Sequence, residues 1–187
     1  MRRGSTRTFD KAESITLAQL STIFEYATRG LPADFLEPPG SQLNDLYLIV
    51  HSVQELKAGA YFFGREQNSL QLLKEGEFRA EAHHLGLEQD LPADACVDIF
   101  FLADLKLVLE RYGNRGYRAV QLEAGAIGGR IYLAAYAQHL GATGLTFFDD
   151  DVINFFSPHA KDKSAIFLLA IGKPTRREPQ LAVLSTS

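Results

Sequence analysis

Tyr117-Arg118-Ala119-Val120-Gln121-Leu122-Glu123-Ala124-Gly125-Ala126-Ile127-Gly128-Gly129-Arg130-Ile131-Tyr132-Leu133-Ala134-Ala135-Tyr136-Ala137-Gln138-His139-Leu140 is the longest regular stretch of the chain. Val120, Ala124, Ile127, Ile131, Ala134 and Ala135 recur at helical spacing and form a wide apolar stripe, which predicts one long helix ended by Gly141. The three glycines inside it cost about 1 kcal/mol each relative to alanine, so something must offset them. Gly125, Gly128 and Gly129 stand at i, i+3 and i+4 and are predicted to share one face, a shallow surface for a second subunit or a flat ligand.

Working outward, Asp104 to Tyr112 reads as a helix broken by Gly113-Asn114-Arg115-Gly116, and Ala95 to Leu102 as a strand that is apolar except for Asp98. Downstream, Thr143 to Phe148 is predicted as a short strand, Asp150 to Phe156 as a short helix with acidic residues at its positive end, and Ala165 to Ile171 as a last buried strand. Upstream, Thr16 is placed to cap a helix from Leu17 towards Gly30, with Leu20, Phe24 and Ala27 on one face. The segment 31–44 holds Pro32, Pro38, Pro39 and Gly40 and reads as a loop. Leu46 to Val53 is a strand, Gly59 to Phe63 and Leu70 to Leu73 a hairpin, and Glu77 to Leu87 a modest helix.

Length and composition fit one domain over residues 1–187, with an irregular tail from about residue 178: 46% of residues are hydrophobic and 22% charged. A formal charge of -4 excludes nucleic-acid binding through bulk electrostatics. Cys96 is the single cysteine, which excludes an internal disulfide and a multi-cysteine metal cluster and suits a cytoplasmic setting. The longest stretch free of charged residues, Ile131 to Phe148, is interrupted by Gln138, His139, Gly141 and Gly144, so no membrane span is expected. His83-His84 and Asp149-Asp150-Asp151 lack metal-ligand spacing and read as solvated surface. Glycine-rich dinucleotide, phosphate-loop and nucleophile-elbow motifs are all missing.

The basic residues are concentrated at the ends. Arg2-Arg3-Gly4-Ser5-Thr6-Arg7 sets three guanidinium groups and two hydroxyls within six residues, and Lys173, Arg176 and Arg177 follow the last strand. Guanidinium forks match phosphate oxygens and hydroxyls donate to the remainder, so two converging ends would make one phosphate site. Two solubilising tails are the competing reading.

Four features stand in an informative order: the Arg-rich opening; Tyr112-Gly113-Asn114-Arg115-Gly116-Tyr117-Arg118 leading to Leu122-Glu123-Ala124-Gly125; Leu140-Gly141-Ala142-Thr143-Gly144; and Ile171-Gly172-Lys173-Pro174. As a set they resemble the FMN-dependent nitroreductase superfamily, nearest to its azoline-dehydrogenase branch, from Arg2 to about Arg177. The resemblance implies an α+β fold with a mostly antiparallel central sheet flanked by helices, and a homodimer packed through long helices with FMN at each end of the interface. It implies that Arg3, Ser5 and Arg7, with Arg2 beside them, hold the phosphate and ribityl chain, completed by Lys173, Arg176 and Arg177. Ser41 and Gln42, after Pro38-Pro39-Gly40, become the contacts to the isoalloxazine, and backbone N–H groups at Thr146, Phe147 and Phe148 lie near flavin N5. Tyr112, Arg130 and Phe148 are then the substrate-side residues. The implied activity is hydride transfer through flavin N5 between NADH, NADPH or an organic donor and a small acceptor. Relatives commonly carry Gly-His-x-x-Gln-Asn where this chain has Gly125-Ala126-Ile127-Gly128-Gly129-Arg130, and Arg111-Tyr112 replaces a Lys-Tyr pair. Those departures sustain a second expectation, a non-catalytic flavin- or nucleotide-binding module or the scaffold domain of a biosynthetic protein.

Overall fold

A computed structural model describes residues 4–36 and 41–175. Two short strands, β1 (Ile15–Thr16) and β3 (Val53–Gln54), pair in parallel beside helix α1 (Leu17–Thr28). Thr16 caps α1 through a reciprocal box: its hydroxyl accepts the Gln19 N–H at 3.1 Å, while Gln19 Oε1 accepts the Thr16 N–H at 2.9 Å.

The main sheet has six strands: β2 (Asp45–Val50), β4 (Gly59–Gly64), β5 (Ser69–Glu75), β6 (Val97–Ala103), β7 (Gly141–Leu145) and β8 (Ser164–Gly172). Their order is β5-β4-β2-β6-β8-β7 and every pairing is antiparallel. Central β6 is buried along its whole length, as its apolar run predicts. Side chains alternate between faces, so Val97, Ile99 and Phe101 join the core under α1, α4 (Leu105–Tyr112) and α5 (Arg115–Ala137). Phe100 and Leu102 join the opposite core under α2 (Arg79–Leu85) and α6 (Asp149–Phe156), while α3 (Asp90–Asp94) contributes Leu91 to a small cluster with Phe9, Ala95 and Ala170. The expected α+β fold with an antiparallel sheet flanked by helices is the fold observed.

Several boundaries differ from the sequence reading. Helix α5 starts at Arg115, so only Gly113 and Asn114 interrupt the helical run; Gly113, at φ 58°, takes the left-handed conformation. It stops at Ala137, ahead of the predicted end at Gly141, and His139 makes the left-handed turn that follows (φ 59°). Gly141 instead opens β7, two residues ahead of the predicted strand, because a Cβ there would stand 2.4 Å from the Thr6 hydroxyl. Thr6 donates its N–H to the Ala142 carbonyl at 3.0 Å and runs directly over this strand. Helix α3 is an element that the sequence reading does not include; its Pro92 lies in the first turn, where a proline loses no hydrogen bond.

The three α5 glycines do not share one face. Gly128 is buried, where a Cβ would meet the Phe167 ring at 2.8 Å, whereas a Cβ at Gly125 or Gly129 would have nothing within 4 Å. Gly128 admits the sheet; the other two leave the outer surface of the helix low.

Candidate active site

Two concave sites each hold several sequence-predicted residues, and Arg130 also borders a shallow cleft with Tyr26 and Leu133. The first lies where segments 4–10 and 173–175 meet. Phe9 and Pro174 form an antiparallel bridge, Asp10 N–H donates to the Lys173 carbonyl at 2.9 Å, and Thr175 N–H donates to the Thr8 carbonyl at 3.2 Å. Beside this seam is a cavity of about 350 Å³ lined by Ser5, Thr6, Arg7 and Thr8 from one end, Pro174 and Thr175 from the other, and Tyr136, Leu140 and Gly141. Tyr136 Oη donates to the Gly4 carbonyl at 2.5 Å and Ser5 Oγ lies 3.4 Å from Tyr132 Oη, so α5 fixes the arm's position. Arg7 is exposed and has no carboxylate partner among the described residues. Lys173 follows the same seam, but its amine points to Glu13 at 4.0 Å and does not line the cavity. Arg2, Arg3, Arg176 and Arg177 lie outside the described residues.

The second site is a cavity of about 170 Å³ between the end of α1, the chain before β2 and the middle of α5, lined in part by Ser41, Gln42, Arg65, Glu123 and Arg130. The segment carrying Ser41 and Gln42 is pinned to α5 by Glu123. One carboxylate oxygen, Oε2, accepts the N–H groups of Leu43 (2.9 Å) and Asn44 (2.8 Å) and the Asn44 amide (2.8 Å). The other, Oε1, stands 3.5 Å from Arg65 Nη1, while Arg65 Nη2 donates to the Asn44 carbonyl at 2.7 Å. Only 2% of the Glu123 side chain and 8% of the Arg65 side chain reach solvent. Burial pulls the Arg65 guanidinium below its ordinary value and the Glu123 carboxylate opposes that shift. Arg130 Nη1 donates to the carbonyls of Arg29 and, at 3.4 Å, Gly30, which stretches its side chain across the cavity.

Tyr112 and Phe148 are not brought to either cavity. Tyr112 closes α4 on the α5 side of the sheet, with the Arg111 guanidinium 4.9 Å from its ring centre. Phe148 sits at the start of α6 on the opposite side, and its N–H donates to the Leu85 carbonyl at 3.0 Å. That N–H is therefore committed within the protein, which corrects the expectation that it points to a ligand. Phe147 is half-buried in the core beneath α6. His84, read as solvated surface, is exposed yet engaged: its ring nitrogens meet Glu88 at 2.6 Å and Asp151 at 2.8 Å, tying α2 to α6. Those two carboxylates hold its pKa above the ordinary value.

Sequence reasoning missed Glu123 and Arg65. The signal for Glu123 was available, a carboxylate on the same face as Val120, Ala124 and Ile127, where an unpaired charge would be costly. Arg65 gave none, since it follows a hairpin strand in a polar turn. Among the described residues, no group of histidine, cysteine and carboxylate side chains is arranged to hold a metal ion, and no helix is long and apolar enough to cross a membrane.

An antiparallel sheet clothed on both faces, crossed by one long helix and with Phe9 bridged to Pro174, is the nitroreductase fold. The chain belongs to the Nitroreductase family, whose sequence profile matches residues 1–173. A Methanocaldococcus jannaschii protein classed by name with the nitroreductases is 27% identical over 109 residues, covering 58% of this chain and 55% of that relative. Among solved structures, a protein of the same class from Anabaena variabilis superposes with a TM-score of 0.82 at 31% identity, covering 92% of this chain and 37% of that one. The Escherichia coli microcin synthetase complex McbBCD, solved with truncated pro-MccB17, superposes at 0.79 with 13% identity over 94% of this chain and 71% of that one, a likeness of fold. The chain thus spans about half the length of the M. jannaschii relative and just over a third of the Anabaena chain.

Proposed function

We propose that the protein is an FMN-dependent oxidoreductase of the nitroreductase type, acting in the cytoplasm as a homodimer with NADH or NADPH as reductant and a small molecule as acceptor. The meeting of segments 4–10 and 173–175 carries this reading: the cavity beside them collects hydroxyls and an arginine with no carboxylate partner among the described residues. A phosphate fits such a donor set, since Arg7 needs an anion and Ser5, Thr6, Thr8 and Thr175 offer hydroxyls around the same space.

Bound FMN supplies a reversible hydride carrier at N5. The chain's own residues bind and orient it. Arg7 and Ser5 hold the phosphate end, with Arg2, Arg3, Lys173, Arg176 and Arg177 assigned to the same anion from the two ends. Ser41 and Gln42 give polar contacts to the ring system, on a segment whose position Glu123 fixes through two backbone N–H groups. The Phe147 backbone offers an N–H to the ring and Arg130 faces the substrate, whereas Tyr112 and Phe148, which line neither cavity, are given no part in it. Hydride transfer itself requires no side-chain acid or base. The outer surface of α5, low at Gly125 and Gly129, is the seam between subunits.

The purified protein should bind FMN with a flavin absorption spectrum and oxidise NADH or NADPH. Arg7→Ala should weaken FMN by about 10- to 100-fold, because a hydrogen bond to a charged group is worth roughly 1.5–3 kcal/mol, and should leave the circular dichroism spectrum unchanged. A protein that stays colourless with added FMN has a different function. One that binds FMN but is not reduced is a flavin-binding module.

A further inference from the structure

The cavity beneath Ser41 and Gln42 has an unbalanced charge. Three arginines, Arg29, Arg65 and Arg130, border it; Arg29 is paired with Glu25 at 2.5 Å, and among the described residues Glu123 is the single carboxylate lining it. Glu123 is already saturated on Oε2 by three N–H donors, and Arg65 is its ionic partner at 3.5 Å. Among the described residues Arg130 therefore faces the space with no carboxylate of its own; its one engaged nitrogen, Nη1, meets only neutral carbonyls. Arg65 is itself incompletely used, since Nε is buried and has no hydrogen-bond partner among the described residues. A buried guanidinium N–H left unpaired costs more than a satisfied one, so an anion beside it would be favoured by both charge and hydrogen bonding. Ser41 and Gln42 add neutral donors, and Ile127 gives one apolar wall.

We propose that this cavity binds the carboxylate group of a small organic acid, held by Arg130 with help from the Arg65 edge, beside the Ser41 and Gln42 groups assigned to the flavin ring. Its volume of about 170 Å³ is close to the roughly 150 Å³ that accommodates a benzene ring in an apolar cavity, which limits the ligand to a short aliphatic or single-ring monocarboxylate. The planar, two-oxygen carboxylate matches the guanidinium fork, whereas a carboxamide of the same shape brings no charge and sets an N–H₂ against N–H donors. That the acid is the substrate rests on the oxidoreductase reading; that the cavity binds a carboxylate does not.

Titration calorimetry with benzoate as probe and benzamide as its neutral isostere tests the assignment, in FMN-free protein and in protein incubated with FMN. Benzoate should bind saturably in both, at least tenfold more tightly than benzamide, and Arg130→Gln should weaken benzoate at least tenfold while leaving benzamide unaffected. Arg130 is half-buried at the surface of α5, so the variant is expected to fold; should it not, the benzoate-to-benzamide ratio of the unaltered protein decides alone. Equal binding of acid and amide, no saturable binding, or displacement of bound FMN by benzoate would each overturn the proposal, the last by giving the cavity to the flavin. Failure to take up FMN would remove the oxidoreductase reading and leave the benzoate result to stand by itself.

Discussion

Asp98 is the only charged residue in β6, and the fold answers it with His51: Nε2 and Oδ2 lie 2.9 Å apart and neither side chain reaches solvent. The second oxygen of Asp98 and the second nitrogen of His51 have no hydrogen-bond partner. Burial raises the Asp98 carboxyl above its ordinary range, with His51 and, more weakly, Arg79 pulling it back. A carboxyl whose folded pKa lies above its unfolded value binds its proton more tightly in the native state. Its contribution to stability is complete below the unfolded value, about 3.9, and is lost as pH rises through the raised native value. The stability of the unaltered protein relative to Asp98→Asn should therefore fall as pH rises from about 4, as urea denaturation at a series of pH values would record. A difference that grows with pH would mean that the pair is held as a compensated ion pair. The sequence singles out Asp98 because a lone carboxylate in a buried strand is conspicuous. His51 could not be joined to it, since the partner stands 47 residues away and only the β2-to-β6 register brings the two together.

At the scale of elements, the period of α5 and the alternation of the strands were legible because both are local: each residue's face follows from its neighbours in the chain. The Thr16 cap was legible for the same reason, its partner being three residues on. What failed was contact between distant segments. Glu123 earns its place through Leu43 and Asn44, about 80 residues earlier, and Gly141 through Thr6. The case of Gly141 is testable. Gly141→Val places a side chain where Thr6 now lies, with Thr6 Oγ1 2.4 Å from the added Cβ. The arm must lift from β7, losing the Thr6 N–H bond to Ala142 and the order of the cavity that Ser5 and Arg7 line. Overpacking of this kind costs about 1–3 kcal/mol, so urea unfolding should move to lower denaturant and FMN should dissociate faster in the same variant. Lowered stability with unaltered FMN affinity would place the cofactor away from the arm.

For the whole molecule, the decisive surface is the outer side of α5 and α1. Leu122 and Leu133 are 60% and 62% exposed, Tyr26 56%, and Leu133 and Tyr26 border a shallow cleft of about 480 Å³. Large apolar side chains gathered on one side of a domain mark an interaction surface, and low glycine positions between them let another backbone approach. Gly129 makes the argument quantitative because it separates folding from association. A Cβ there meets nothing within 4 Å in the protomer, so Gly129→Leu leaves the fold uncrowded, and replacing a mid-helix glycine should stabilise α5 by up to about 1 kcal/mol. At a close-packed seam the same side chain forces the subunits apart. Sedimentation should show the dimer weakened at least tenfold, while thermal unfolding of the separated protomer stays level or rises. Gly128→Ala provides the contrast: its Cβ would press on Phe167 at 2.8 Å, so it should lower stability and leave association untouched. An intact Gly129→Leu dimer would mean that the subunits meet through another face, and the exposed leucines of α5 would then need a different partner.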